Sequence, residues 1–390
     1  MSHPKGPPPE DVIRRREAEK LPDGRDVTPA VGRRGEPARW ERMGDTDAIA
    51  GHSRDWADAR WSFLYDKATE YARGGAVNGR VREAARRVRG RRELTVEPHG
   101  PFIHAPVWTW EVPVYFWFGG IASGASFVAV ACDAVGDHEA AEWARKLTLG
   151  AVLPCAPLLI MDLGRPLRFL HMLRIFKVRS PMSMGAWCLS AFSASAGGTV
   201  LTDLAGPKKV SRIGGAITAL LGTYLGSYTG VLLASTAVPV WNRSRAFLPG
   251  IFICTAAGGG AAASRLLLAA TGKPVGDPTR EALGMVETAA MTTELVISEI
   301  NERRLGRLGR ALEEGRPGRW GRFARGCVLG GLGLRFARRR GGPWVHHVAS
   351  VLYLLAGLGF RFAWVEAGHA SSNDDEAVAL TARHPRNPRR

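Results

Sequence analysis

Long apolar segments separated by short polar turns occupy residues 111–367, whereas residues 1–100 carry only isolated apolar positions. A helix needs roughly 20 mostly apolar residues to cross about 30 Å of hydrocarbon, because each backbone polar group must be satisfied within the segment. The pattern predicts an all-α polytopic bundle of about eight transmembrane helices. The segments run from Val112 to Cys132, Leu147 to Met161, Gly185 to Leu204, Ile213 to Val238, Ala246 to Ala270, Glu281 to Ile300, Arg325 to Arg335 and Val345 to Val365.

Three regions of different composition follow from this pattern. Residues 1–105 are rich in Arg, Glu, Asp, Gly and Pro and are predicted to form a basic, largely disordered extension. Residues 106–372 form the predicted transmembrane domain, and residues 373–390 form a polar tail. Met1 to Lys20 lacks the apolar core of a signal peptide, so the first apolar segment is predicted to direct insertion. The seventh segment is short, and whether it spans decides the side of the C-terminus.

The formal charge of +17 raises the question of nucleic-acid binding. The arginines instead concentrate in the extension and between apolar segments, which is typical of loops retained in the cytoplasm beside anionic lipid. We therefore predict a multi-pass protein of the inner membrane with a cytoplasmic N-terminus, in contact with lipid and not with nucleic acid. The largest cluster comprises Arg303, Arg304, Arg307, Arg310, Arg316, Arg319 and Arg322.

Cysteine and histidine positions bear on metal and haem binding. Iron–sulfur clusters and structural zinc sites need several thiolates at short spacing. A transmembrane cytochrome needs histidines inside facing helices. The cysteines lie singly, and the histidines of the membrane region lie in loops or at helix ends, so we expect no haem and no iron–sulfur cluster in this protein. The positions are Cys132, Cys155, Cys188, Cys254 and Cys327, and His104, His138, His171, His346, His347 and His369.

A charged turn follows the second apolar segment. Asp162 and Arg165 belong to the run Asp-Leu-Gly-Arg-Pro, which predicts a compact corner suited to a partner or a polar head group. An ordinary basic loop on the cytoplasmic side is the alternative. The run leads to Ser-Pro-Met-Ser-Met-Gly-Ala-Trp at residues 180–187.

With these motifs the chain resembles the NrfD/PsrC family, the membrane subunits of polysulfide reductase and nitrite reductase systems. The resemblance covers residues 107 to about 372 and also rests on four further runs. These are Trp-Glu-Val-Pro-Val-Tyr-Phe-Trp-Phe-Gly-Gly-Ile-Ala-Ser-Gly at 110–124, Gly-Ser-Tyr-Thr-Gly-Val-Leu-Leu at 226–233, Pro-Val-Trp-Asn at 239–242, and Arg-Phe at 361–362 followed by Glu-Ala-Gly-His-Ala-Ser at 366–371.

The resemblance implies two four-helix bundles that bind a quinone, expected to be menaquinone, and carry no redox centre of their own. Electrons would pass between the quinone and a partner. The implied partners are a four-cluster ferredoxin-like iron–sulfur subunit and a molybdopterin catalytic subunit.

Carried over by position, Tyr115 and Tyr228 correspond to places where the family puts polar groups on the quinone. A phenol donates a hydrogen bond to a quinone carbonyl, and a nearby carboxylate takes the proton lost from quinol. Glu111 and Asp162 are the candidate carboxylates, with Arg165 beside them. For each tyrosine, a place in the interfacial aromatic belt is the alternative.

Glu287 and Glu294 are two carboxylates of the sixth apolar segment. They are seven residues apart, so they lie on the same face of a helix, about 10 Å from each other along its axis. They are stations on a proton path in one interpretation. In the other they pair with Arg265 or Arg361.

The sequence thus favours a quinone-binding membrane-anchor subunit of an oxidoreductase. A structural anchor or ion-translocating scaffold without quinone chemistry is the alternative. A solute transporter would call for an inverted helix repeat, and the motifs show none.

Overall fold

Eight long helices make up most of the part of the protein that the structure, a computed structural model, describes: residues 103, 105–163, 173–174, 176–178, 180–206, 208–336 and 344–383. Within these ranges no strand occurs, which confirms the predicted all-α class. The helices are α1 Glu111–Val135, α2 His138–Leu163, α3 Pro181–Ala205, α4 Lys208–Ala234, α5 Leu248–Ala270, α6 Pro278–Leu305, α7 Gly315–Phe336 and α8 Trp344–Ser372. Shorter helices occupy Pro239–Arg243, Arg310–Glu313 and Asp375–Arg383, and a 3₁₀ turn occupies Gly306–Gly309.

Five of the long helices, α1, α2, α4, α5 and α8, are long and apolar enough to cross a membrane. The other three have 25, 28 and 22 residues, and they carry more polar or small side chains. The seventh apolar segment belongs to a helix twice its length, since α7 begins at Gly315 and spans about 33 Å at the helical rise of 1.5 Å per residue. Residues 1–102, with most of the predicted extension, lie outside the described residues.

α2 begins nine residues before the apolar segment that predicts it. Asp137 caps its first turn by accepting a hydrogen bond from the amide of Ala140 at 3.0 Å, and Gly136 ends α1 in the left-handed region at φ 87°. The helix is interrupted at Leu153 and Pro154, where proline lacks the amide donor and clashes with the preceding turn. His138, expected in a loop, is therefore the first residue of α2.

The helices pack as two groups of four. α1 packs against α2 and α4, and α3 packs against α4 and α2; α5 packs against α6 and α8, and α7 against α8. α5 also contacts α1 and α4, so it joins the two groups. Small residues permit this close approach where lipid supplies no hydrophobic drive for helix association.

One polar cluster links the four helices of the first bundle near the ends of α1 and α3. Arg145 of α2 donates to Asp203 of α3 at 2.6 Å and 3.0 Å and to Asp133 of α1 at 2.6 Å. Ser211 of α4 also donates to Asp203. The Arg145 side chain is only 5% exposed, so these contacts satisfy a charge that would otherwise be costly to bury.

A corresponding cluster links the four helices of the second bundle. Glu287 of α6 is fully buried and pairs with Arg335 of α7 and, at 3.7 Å, with Arg265 of α5. Ser350 of α8 donates to the same carboxylate at 3.0 Å. Each bundle is thus closed by one ionic contact set to which every helix contributes a residue.

Candidate functional site

The first turns of α1 present two of the predicted site residues. Glu111 is the first residue of the helix and is partly exposed, with a hydrogen bond from the hydroxyl of Thr109. Tyr115 follows one turn later and is 4% exposed. The helix therefore carries its carboxylate at the bundle end and its phenol just inside.

Tyr228 reaches the same end of the bundle from α4 and is 3% exposed. Its ring tip lies against the backbone of Gly185 in the second turn of α3, where a Cβ would lie 2.1 Å from the tyrosine Oη. No side chain larger than hydrogen fits there unless Tyr228 moves. Gly185 thus lets the phenol enter the space between α3 and α1.

The two phenols belong to one buried cluster. Tyr115 lies in the neighbourhood of Tyr228 and of the thiols of Cys155 and Cys188. Within the described residues, neither phenol hydroxyl has a protein hydrogen-bond partner. Each hydroxyl can therefore donate a hydrogen bond to an acceptor that enters the cluster.

The second predicted carboxylate, Asp162, lies in the last turn of α2 and is partly exposed. It interacts electrostatically with Glu111, so the structure brings the two acids together beside the phenols at one end of the first bundle. Arg165 lies outside the described residues. The arrangement offers two hydrogen-bond donors deep in the site and two proton acceptors at its rim.

Glu287 and Glu294 do share the buried face of α6, and both are 0% exposed. Glu287 belongs to the ionic cluster with Arg265 and Arg335, so the predicted pairing with Arg265 is present. The partner Arg335 escaped prediction, because nothing in the sequence shows that α7 lies against this turn of α6.

Glu294 differs from Glu287 in its surroundings. It accepts a hydrogen bond from Ser298 at 2.7 Å on one oxygen, and its other oxygen has no partner among the described residues. Arg361 of α8 is near enough to interact electrostatically, yet it donates instead to the Thr255 hydroxyl at 2.8 Å and stacks over the Phe252 ring at 3.8 Å. The predicted pairing with Arg361 is therefore a longer-range attraction and not a hydrogen-bonded contact.

The motifs at residues 239–242 and 366–371 meet each other. Trp241 donates its indole N–H to the carbonyl of Trp364 at 2.7 Å, and its ring fills the space where a Cβ on Gly368 would lie, 1.9 Å from the indole. Trp108 stacks on Trp241 with ring centroids 5.4 Å apart. This packing fixes the end of α8 against the start of α1.

A cavity of about 910 Å³ beside this packing was not predicted. It lies between the start of α1, the α6–α7 connection and the end of α8, so only the tertiary fold brings its walls together. Residues of the runs at 110–124, 361–362 and 366–371 line it, but nothing in the sequence shows that these runs meet the α6–α7 connection. Its lining includes Trp108, Trp110, Arg307, Arg316, Phe362 and His369.

Metal-ligating side chains do not cluster in the described ranges: no three His, Cys, Asp or Glu residues come together there as a metal site. The described cysteines are all free thiols.

Comparison with known proteins places the chain in a family. The family model described as Polysulphide reductase, NrfD matches residues 101–298, just over half of the sequence. The protein is 27% identical over 179 residues to the C subunit of polysulfide reductase from Wolinella succinogenes, a match that covers 38% of this sequence and 54% of that subunit. It is 26% identical over 234 residues to the NrfD homolog of Haemophilus influenzae, a match that covers 52% of this sequence and 72% of that protein. The match to the polysulfide reductase subunit thus spans about half of that relative's length. Because the family model matches more than half of the chain, the chain belongs to the polysulphide reductase NrfD family.

Proposed function

We propose that this protein is the quinone-binding membrane anchor of an oxidoreductase complex. The observation that carries the proposal is the pair of buried phenols, Tyr115 and Tyr228, which lie at the same end of the first bundle and whose hydroxyls have no protein hydrogen-bond partner among the described residues. A quinone has two carbonyl oxygens and no donor, so it is matched in polarity to this pair. Bound there, a quinone supplies the exchange of two electrons and two protons.

The carboxylates at the rim complete the site. Glu111 and Asp162 lie between the phenols and the aqueous end of the bundle, where a carboxylate receives a proton from quinol or returns one to quinone. Arg165 belongs to the same motif as Asp162 and is proposed to be part of the quinone site. Glu294, which has no arginine within 4 Å in the described ranges, is the better candidate of the two α6 carboxylates for a proton path, while Glu287 is held by Arg265 and Arg335 and closes the bundle.

Electrons leave or reach the quinone through a partner. One relative is named as the C component of polysulfide reductase, and this name implies further subunits in that enzyme. By analogy we propose a four-cluster ferredoxin-like iron–sulfur subunit as the direct partner and a molybdopterin subunit beyond it. Menaquinone of the inner membrane is the proposed quinone, with the site and the N-terminus on the cytoplasmic side. The arginines of the α6–α7 connection support this orientation.

Quinone titration of the full protein in lipid nanodiscs tests the proposal, with quenching of tryptophan fluorescence as the signal. We expect saturable binding of menaquinone. Tyr228→Phe removes one hydrogen bond and should raise the Kd about two- to tenfold. Tyr353→Phe is the matched control, because Tyr353 is a buried tyrosine of the second bundle and should leave the Kd unchanged.

In the assembled complex, Glu111→Gln should lower quinone-dependent turnover more than it changes binding, since it removes a proton acceptor and keeps the side-chain shape. No saturable binding to the unsubstituted protein would instead favour a structural anchor or ion-translocating scaffold. The proposed cytoplasmic side of the N-terminus is tested by labelling a Gly35→Cys variant with an impermeant thiol reagent. Labelling should occur only in inverted vesicles.

A further inference from the structure

A third tyrosine adjoins the proposed site on its lipid side. Tyr224 lies one helical turn before Tyr228 on α4, and the two rings stack with centroids 5.6 Å apart and planes 20° apart. Tyr228 is 3% exposed, whereas Tyr224 is 39% exposed on the outer face of the helix. The stack therefore runs from the surface of the bundle to its interior.

The backbone of α3 borders this stack. Cys188 of α3 donates a weak hydrogen bond to the carbonyl of Leu221 at 3.6 Å, and Gly185 lies one turn earlier against the tip of Tyr228. Gly185 and Cys188 thus face α4 at the level of the two tyrosines. Because Gly185 has no side chain, the tip of the Tyr228 ring packs directly on the α3 backbone.

Depth in the bundle distinguishes the two tyrosines. Tyr228 lies six residues from the end of α4, about 9 Å, and Tyr224 ten residues, about 15 Å, at 1.5 Å per residue. The α4 helix is among those long and apolar enough to cross a membrane. A quinone ring that moves outward from the middle of the hydrocarbon meets Tyr224 before Tyr228.

We propose that the quinone ring enters sideways from the lipid along the α3–α4 seam and that Tyr224 is the positioning residue which receives it there. The ring stacks on the exposed phenol face, as planar π-systems do, and then passes to the hydroxyls of Tyr228 and Tyr115. This inference rests on the proposed quinone function and adds to it the route of entry and the residue that positions the ring there.

Photolabelling and titration of the full protein in nanodiscs test this route. An azido-naphthoquinone with an isoprenoid tail should label the α4 peptide that contains Tyr224, and excess menaquinone should prevent the labelling. Tyr224→Leu should raise the Kd of menaquinone at least about threefold, the effect of losing one aromatic contact, and Tyr224→Phe should retain most of the affinity. Leu220→Ala is the matched control, since Leu220 is 73% exposed one turn earlier on α4.

Labelling confined to other helices, or an unchanged Kd in Tyr224→Leu, would overturn the route. These results leave the proposed function standing if the unsubstituted protein binds quinone and Tyr228→Phe weakens that binding. Absence of binding by the unsubstituted protein overturns both. Labelling of the unsubstituted protein needs no substitution, so the route stays testable even if Tyr224→Leu does not fold.

Discussion

Gly124 of α1 and Gly260 of α5 meet backbone against backbone. A Cβ on Gly124 would lie 2.0 Å from the carbonyl oxygen of Ala256, and a Cβ on Gly260 would lie 2.1 Å from the carbonyl carbon of Gly124. Because α5 is also the helix that joins the two bundles, this crossing sets the distance between them. Neither backbone can yield to a methyl group as a flexible side chain can.

Gly260→Ala should therefore separate α1 from α5 and destabilise the protein by about 1–3 kcal/mol or more, the usual range for overpacking. Thermal unfolding in detergent, followed by tryptophan fluorescence, measures the effect. Gly197→Ala on α3 is the matched control: no atom lies within 4 Å of its Cβ position, and alanine favours helix more than glycine does. Equal melting temperatures for the two variants would contradict the tight crossing.

Arg145→Leu should destabilise the first bundle by about 3–5 kcal/mol, because it leaves the buried Asp203 without its cation, whereas Asp133 keeps His138 and Arg212 nearby. The double variant Arg145→Leu with Asp203→Asn should recover part of this loss by removing the stranded charge. Chemical or thermal unfolding of the unsubstituted protein, the two single variants and the double variant measures the coupling. If the two substitutions are simply additive, the cluster is not a linked unit.

Asp137, between α1 and α2, binds Lys273, between α5 and α6, with hydrogen bonds of 2.8 and 2.9 Å. Partial burial alone would raise the pKa of Asp137, but hydrogen bonds from Lys273, Thr279 and the Ala140 amide lower it below 3.8. The contact with Asp137 likewise raises the pKa of Lys273 above 10.5 against the opposing effect of burial.

A carboxyl with a depressed pKa stabilises the fold above its unfolded pKa and loses this contribution as the pH falls through the folded value. We therefore expect the melting temperature to fall below about pH 4, and Asp137→Asn to flatten this dependence while keeping the helix cap. At neutral pH the substitution should cost about 1 kcal/mol or less, since the pair is partly exposed. If the melting temperature of Asp137→Asn falls at low pH as steeply as that of the unsubstituted protein, another group controls this dependence.

The apolar pattern predicted the helices that are apolar along their whole length. It failed where polar residues lie inside the fold and are paired with other polar residues there. The start of α2 was missed because Arg145 looks incompatible with a buried helix until Asp133 and Asp203 are seen around it. The length of α7 was missed because arginine and glycine dominate its first half. The sequence pattern of a helix shows its charged residues but not the residues of other helices that neutralise those charges.

The candidate site shows the same division. Tyr115 and Tyr228 were predicted from motifs, and the structure brings them together. The roles of Gly185 and Tyr224 could not be predicted, because they depend on the rotation of α3 against α4, which leaves no trace in the spacing along either helix.

Gly185→Ala should weaken quinone binding without unfolding the protein. The three atoms nearest to the methyl group would all belong to the tip of the Tyr228 side chain, and the backbone crossing of α1 with α5 is untouched. We expect the Kd of menaquinone to rise about two- to tenfold through the displaced hydroxyl, with a melting temperature close to that of the unsubstituted protein. Gly150→Ala on α2, where no atom lies within 4 Å of the Cβ position, should change neither quantity. Unaltered binding in Gly185→Ala would mean that the Tyr228 hydroxyl does not need its present position.

Glu287 and Glu294 should separate stability from proton transfer. Glu287→Gln leaves Arg265 and Arg335 without their carboxylate and should destabilise the second bundle by about 3–5 kcal/mol. Glu294→Gln removes a buried carboxyl that no arginine contacts within 4 Å in the described ranges, so it should leave the melting temperature unchanged or raise it. If Glu294 lies on a proton path, the same variant should slow proton uptake coupled to quinone turnover in vesicles, measured with an enclosed pH dye. If the Glu287→Gln variant were stable and the separate Glu294→Gln variant unstable, these assignments would be reversed. The ion pair predicts a loss of stability in the first variant, and the unpaired carboxyl predicts no loss in the second.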